Sequence, residues 1–100
     1  MEGISKLRSL ISKYQHIKFP ARASLVEVGP RDGLQNEKTL ISADVKVKLI
    51  DMLSECGFRS VEATSFVSPT WVPQMADNRE VFTRIQKLKG VTYPVLTPNI

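Results

Sequence analysis

One hundred residues, of which 42% are hydrophobic and 24% charged, suit one globular domain with a core of its own. The formal charge of +4 arises within residues 1–23, where Lys6, Arg8, Lys13, Lys18 and Arg22 face Glu2 alone; from residue 24 onward acids and bases cancel. That excludes the one-sided basic surface of a nucleic-acid binder, while no apolar run reaches the ~18 residues of a membrane helix and no secretory core is present.

In chain order, the first element is a basic leader over residues 1–23. Ile4, Leu7, Ile11 and Tyr14 recur at helical spacing with Ser5, Ser9, Ser12 and several cations between them, which predicts an amphipathic helix. Serine-bearing, acid-poor leaders of this kind have the composition of mitochondrial transit segments; a helix packed on the bottom of the fold is the other reading. His16, the only histidine, belongs to no metal-spaced cluster and reads as an exposed residue.

Leu25-Val26-Glu27-Val28 is the first predicted strand, ended by Gly29-Pro30 because proline cannot donate to a ladder and glycine loosens the backbone. Arg31 and Asp32 therefore emerge at its C-terminal mouth, the edge at which parallel α/β folds bind ligands. A helix is expected from Ser42 or Ala43 to Cys56, with Ser42 as N-cap, Asp44 in the first turn and Gly57 as the stop. Its stripe of Val45, Leu49, Met52, Leu53 and Cys56 is expected to pack on the sheet, with Lys46, Lys48, Asp51 and Glu55 in solvent. Cys56 on that stripe reads as a small buried thiol, and a single cysteine excludes an internal disulfide.

A second strand surrounds Val61-Glu62-Ala63. A second helix is expected from Asp77, with Glu80 completing a capping box, an apolar face of Val81, Ile85 and Leu88 beside Phe82, and Gly90 as its end. Trp71, Pro73 and Met75 are expected to pack the loop before it against the rim. A third strand holds Val95-Leu96. The chain aligns with itself at an offset of 35 residues, Leu25 on Ser60 on Val95, as repeated β/α modules would. Strand, helix, strand, helix, strand in this order predicts parallel pairing through right-handed crossovers. A closed (β/α)8 barrel takes ~250 residues. The expected architecture is therefore α/β, the first β/α units of a TIM barrel over residues 24–100, cut within the third strand.

The word Gly29-Pro30-Arg31-Asp32-Gly33-Leu34-Gln35-Asn36-Glu37, followed by Val61 to Pro69, Trp71 to Met75 and Tyr93 to Asn99, resembles the hydroxymethylglutaryl-coenzyme A lyase family. These are divalent-metal-dependent barrel enzymes that cleave 3-hydroxy-3-methylglutaryl-coenzyme A to acetoacetate and acetyl-coenzyme A, in ketone-body formation and leucine breakdown. The Arg-Asp-Gly-x-Gln core is shared with related acyl-coenzyme A condensing synthases, which form the alternative; a non-catalytic binding module is a third reading.

Read alone, Asp32 after Pro-Arg and before Gly is more often a turn residue or ion-pair partner than a ligand. The resemblance implies that it binds the metal, Mg²⁺ or Mn²⁺, together with histidines and an asparagine that this chain does not contain at matching positions. Arg31 is expected to be catalytic and to contact substrate, because carbon–carbon cleavage beside a thioester leaves enolate charge that a fixed guanidinium stabilises; a surface ion pair with Asp32 or Glu37 is the plain alternative. Strand alternation turns Glu62 away from Val61 and toward the barrel interior, where a carboxylate must be paired; it is expected to hold Arg31 or act near the reacting hydroxyl. Gln35 and Ser65 are candidate substrate contacts. Glu27 is expected in a structural charge network, and Gly33 is expected to keep its loop close to the site. The resemblance further implies an acyl-coenzyme A substrate, a homodimer and a mitochondrial matrix location, with the cytoplasm as the alternative; the charge distribution and the lack of a long apolar run predict no nucleic-acid or membrane partner.

Overall fold

The computed structural model describes residues 2–15 and 18–99. His16 and the cut at Ile100 lie outside them. Helix α1 spans Glu2–Tyr14, strand β1 Val26–Glu27, helix α2 Ala43–Ser54, β2 Ser60–Val61, β3 Thr64–Ser65, helix α3 Asn78–Arg84 and β4 Val95–Leu96. A five-residue π-turn at Gly29–Gly33 and a 3-10 turn at Pro73–Met75 complete the connections.

Pairing is parallel throughout the described strands. Val26 lies opposite Ser60 and Glu27 opposite Val61, while Thr64 lies opposite Val95 and Ser65 opposite Leu96. β2 and β3 are two ends of one stretch: Glu62 N donates to Glu27 O at 2.8 Å, and Val61 N and Ala63 N donate to Thr92 O and Pro94 O at 3.0 and 3.1 Å. The middle stretch therefore runs between β1 and β4, as the strand, helix, strand order predicts. The hydrogen-bonded register is staggered against the repeat alignment, since Ser60 faces Val26 and not Leu25. A progressive offset of this kind accompanies strand tilt in barrels. The described residues form an open sheet and not a closed barrel.

One face of the sheet carries the core. Val61 and Ala63 pack with Ile50 of α2 and with Val81 and Ile85, at the end of α3, with Val47, Leu53, Phe58 and Phe82 around them. The α3 face is the expected one, and Leu88 is half-buried beyond it. The α2 face is not. Lys46, Ile50 and Ser54 are buried, whereas Val45 and Met52 are 56% and 58% exposed and Cys56 is exposed, its Sγ 3.3 Å from Met52 O.

The reason is that α2 bears two apolar rows, one through Ala43, Val47, Ile50 and Leu53 and one through Val45, Leu49, Met52 and Cys56. The first row can turn inward because its polar neighbours are satisfied there. Lys46 Nζ pairs with both Asp77 oxygens at 2.8 and 3.0 Å and also donates to Gln74 O. Ser54 Oγ donates to Ile50 O at 2.8 Å and lies 2.9 Å from the Tyr93 hydroxyl. A buried ammonium with such partners avoids the cost that would otherwise expel it. Asp51, expected in solvent, is half-buried and accepts from Gln86 N at 2.8 Å.

Helix ends depart from expectation for equally local reasons. Ser42 caps α2 as expected, accepting from Val45 N at 3.3 Å. The helix stops at Ser54, and Gly57, at φ +94°, serves the following turn. Asp77 precedes α3 without a side-chain capping bond, because its carboxylate is taken by Lys46. Glu80 does not close a capping box; it accepts from Arg84, which also donates to Asp44 of α2. Asp44 first, and Glu80 second, hold the Arg84 guanidinium above its ordinary pKa. α3 ends at Arg84, so Gly90, at φ +85°, shapes the turn into β4 instead of ending the helix.

The inward face of α2 can be checked in solution. In the full-length protein, Ile50→Ala should lower unfolding free energy by about 3 kcal/mol, read as a fall in urea midpoint at unchanged slope. Lys48→Ala on the exposed side should change it by no more than about 0.5 kcal/mol.

Candidate active site

The rim at the C-terminal end of β1 is shaped by one carbonyl. Val28 O accepts from Arg31 N, Asp32 N and Gly33 N at 3.1, 2.7 and 3.3 Å, which winds Gly29–Gly33 into its turn over the strand end. Buried Pro30 fixes φ inside that turn. Glu27 Oε1 accepts from Gly29 N at 2.8 Å, so Glu27 braces the turn through a backbone amide and not through the charge network expected of it. A Cβ at Gly29 would stand 2.8 Å from Glu27 Oε1, the mobile end of that side chain, so a larger residue there would have to push the carboxylate off the turn. A Cβ on Gly33 would meet only open space, and the φ of Gly33 is not positive, so neither crowding nor backbone conformation among the described residues requires glycine there.

From this turn Arg31 reaches across to the neighbouring strand. Its Nε donates to Glu62 Oε1 at 2.8 Å, with both side chains mostly buried at 19% and 22% exposure. Glu62 stands on the side of the middle stretch opposite buried Val61, and its own amide is tied to Glu27 O. The expected Arg31 and Glu62 pair is therefore formed. Glu37, the other partner considered for Arg31, instead accepts from Thr39 N at 3.2 Å.

Asp32 is 59% exposed and meets Arg31 Nη1 at 3.6 Å, beyond hydrogen-bond distance. Asn36, which carries no expected role from the sequence, donates to Asp32 O at 2.9 Å and steadies the turn. Gln35 Oε1 and Ser65 Oγ are buried and have no hydrogen-bond partner among the described residues. Ser65 lies on β3, which packs against the Arg31 turn, and its carbonyl accepts from buried Asn78 Nδ2 at 3.1 Å. Trp71 and Pro73 do not pack against the rim as expected: Trp71 is 84% exposed and Pro73 is exposed, and only Met75 of that set is buried. Gln74, between Pro73 and Met75, is a buried polar residue that no local pattern in the sequence marks out.

Among the described residues no three His, Cys, Asp or Glu side chains gather into a metal-binding group. Asp32 is one exposed carboxylate, a hard oxygen donor of the type that Mg²⁺ and Mn²⁺ take one or two of from a protein. It fits such an ion as one member of a larger donor set. Beside it, Glu62 occupies the Nε of Arg31, so the Nη nitrogens are the ones left to meet charge developing at the rim. A guanidinium immobilised before reaction stabilises an oxyanion without reorganising.

Residues 22–99 match the family model described as HMGL-like. The mitochondrial hydroxymethylglutaryl-CoA lyase of Bos taurus is 62% identical over 97% of this chain, which spans 30% of that relative's length. Among solved structures, the hydroxymethylglutaryl-CoA lyase of Pseudomonas aeruginosa aligns with a TM-score of 0.78 at 56% identity, over 81% of this chain and 27% of that one. An HMG-CoA lyase of Acinetobacter baumannii, in complex with coenzyme A and 3-methylmalate, aligns with a TM-score of 0.75 at 49% identity, over 76% of this chain and 25% of that one. These matches imply a TIM-barrel enzyme, and the described residues form an open parallel α/β sheet. The first of the words that carry the resemblance, Gly29 to Glu37, holds the turn that builds the rim, and the chain belongs to the HMGL-like family.

Proposed function

We propose that the protein in full cleaves 3-hydroxy-3-methylglutaryl-coenzyme A to acetoacetate and acetyl-coenzyme A, serving ketone-body formation and leucine breakdown. The observation that carries this reading is the Arg31 guanidinium, held by Glu62 at 2.8 Å on the rim of a parallel sheet with the Asp32 carboxylate beside it. Cleavage takes the proton from the tertiary hydroxyl, converts that carbon to a ketone and breaks the bond to the thioester arm. The electron pair is left as an enolate, which takes up a proton to become acetyl-coenzyme A. Arg31 stabilises the charge on the thioester oxygen. Glu62 keeps the charged guanidinium oriented before substrate arrives. Gln35 Oε1 is suited to accept a hydrogen bond from substrate and Ser65 Oγ to donate one. Asp32 is the residue of this chain that would hold a divalent cation, whose contribution when bound is to acidify the hydroxyl.

The coenzyme A in the A. baumannii complex supports an acyl-coenzyme A as the substrate class. In purified full-length protein, Asp32→Asn should weaken Mg²⁺ or Mn²⁺ binding measured by calorimetry. Arg31→Gln should lower kcat about 10²–10³-fold with metal affinity retained. Near-normal turnover in Arg31→Gln, or condensation without cleavage by the wild type, would overturn the assignment.

We further propose a mitochondrial matrix location directed by α1. Its apolar side chains Ile4, Leu7, Leu10, Ile11 and Tyr14 are all exposed among the described residues, as the apolar face of a leader is. At 100° per residue these five share one arc, with Gly3 inside it, and Arg8 borders that arc on one side, Lys6 and Lys13 on the other. Replacing Arg8 and Lys13 by Glu in a full-length fluorescent fusion should shift the protein from mitochondria to cytosol; unchanged mitochondrial signal would refute the leader.

A further inference from the structure

Gln74 lies in the turn between β3 and α3 and is buried. All of its amide hydrogen bonds go to one segment of backbone. Oε1 accepts from Ile41 N at 2.9 Å, and Nε2 donates to Glu37 O at 3.0 Å and Thr39 O at 2.7 Å. These three bonds strap the loop between the Arg31 turn and α2 onto the next β/α connection. The strap has its own footing, because Lys46 Nζ donates to the Gln74 carbonyl while pairing with Asp77.

The strapped segment begins where the candidate site ends. It follows directly on Gln35, whose buried Oε1 has no partner among the described residues, and Asn36, which donates to Asp32 O. Residues 37–41 form no helix or strand; Glu37 N donates to Leu34 O at 3.0 Å, and the other backbone bonds described in the segment are made with side chains. Only a primary amide of this length offers one acceptor and two donors at once. Glutamate would set a carboxylate against two carbonyls, and asparagine falls one methylene short.

We infer that Gln74 is a positioning residue for the proposed lyase site, holding residues 34–41 so that Gln35 and the Arg31 turn stand in their productive places. The inference rests on the lyase reading and deepens it. A displacement of about 1 Å in such a support costs on the order of 10²-fold in rate.

The test compares wild type, Gln74→Met, Gln74→Asn and Ile50→Val in the full-length protein. Gln74→Met should lower kcat/KM by about 10- to 100-fold, with most of the loss in kcat, and hydrogen exchange should accelerate across amides 34–41. Gln74→Asn should fall between wild type and Gln74→Met in both readouts. Ile50→Val, a core change remote from the loop, should reduce thermal stability with kcat/KM and loop exchange unchanged. Wild-type exchange over 34–41 in Gln74→Met overturns the strap. Accelerated exchange with wild-type kcat/KM overturns its role in positioning. Absence of cleavage by the wild type overturns the underlying lyase reading, a result separate from either.

Discussion

The contact between Arg31 Nε and Glu62 Oε1 is the constraint on which the rest of the site depends. It joins residues 31 positions apart and forms only if the strands that carry them run parallel and side by side. The parallel pairing of Val26 with Ser60 and Glu27 with Val61, continued by the bond from Glu62 N to Glu27 O, sets that register. A slip of one residue would turn Glu62 into the helix-side core and Val61 toward the rim, stranding a carboxylate among Ile50, Val81 and Ile85. Hydrophobic burial on one face of the sheet therefore enforces ion pairing on the other. The charge pair in turn needs no stability of its own to persist, because the core already selects the register in which it forms.

The same division of labour explains what could be read from the sequence. Strand alternation was sufficient for Glu62, since a period of two leaves one choice once Val61 is assigned to the core. The Gly29-Pro30 ending was sufficient for the position of Arg31 and Asp32. The face of α2 was not legible, because two apolar rows of similar hydrophobicity compete. What decides is the satisfaction of Lys46 by Asp77 and Gln74 O, a contact across 28 to 31 residues that no local pattern encodes. The absent capping box before α3 has the same cause, as the Asp77 carboxylate is drawn away by that lysine. Cys56 follows from the same choice of row: the stripe that would have carried the thiol inward faces out instead.

Glycines divide in a similar way. Gly29 leaves room for the Glu27 carboxylate that accepts from its amide, and Gly57 and Gly90 have conformational reasons. Gly33, the other glycine of the recognition word, has neither. Its presence in the motif was legible, while neither crowding nor backbone conformation among the described residues calls for it.

Buried polar groups give the site its clearest physical outline. Lys46, Ser54, Gln74 and Asn78 are polar and buried, and each spends its hydrogen bonds on backbone or on a neighbouring side chain. Native interiors rarely leave such atoms unpaired, and here the network under α2 and α3 leaves none of these side chains without a bond. Gln35 Oε1 and Ser65 Oγ depart from that pattern. Gln35 lies just past the Arg31 turn, and Ser65 lies on the strand packed against it. An unpaired buried oxygen costs about 1–3 kcal/mol, a cost that structural packing has no reason to retain at two adjoining places. Under the proposed function, a substrate hydrogen bond would offset it, and only when the substrate is present. On that reading the stability withheld at Gln35 and Ser65 would be available as binding energy, on the same rim where Glu62 holds the Arg31 guanidinium.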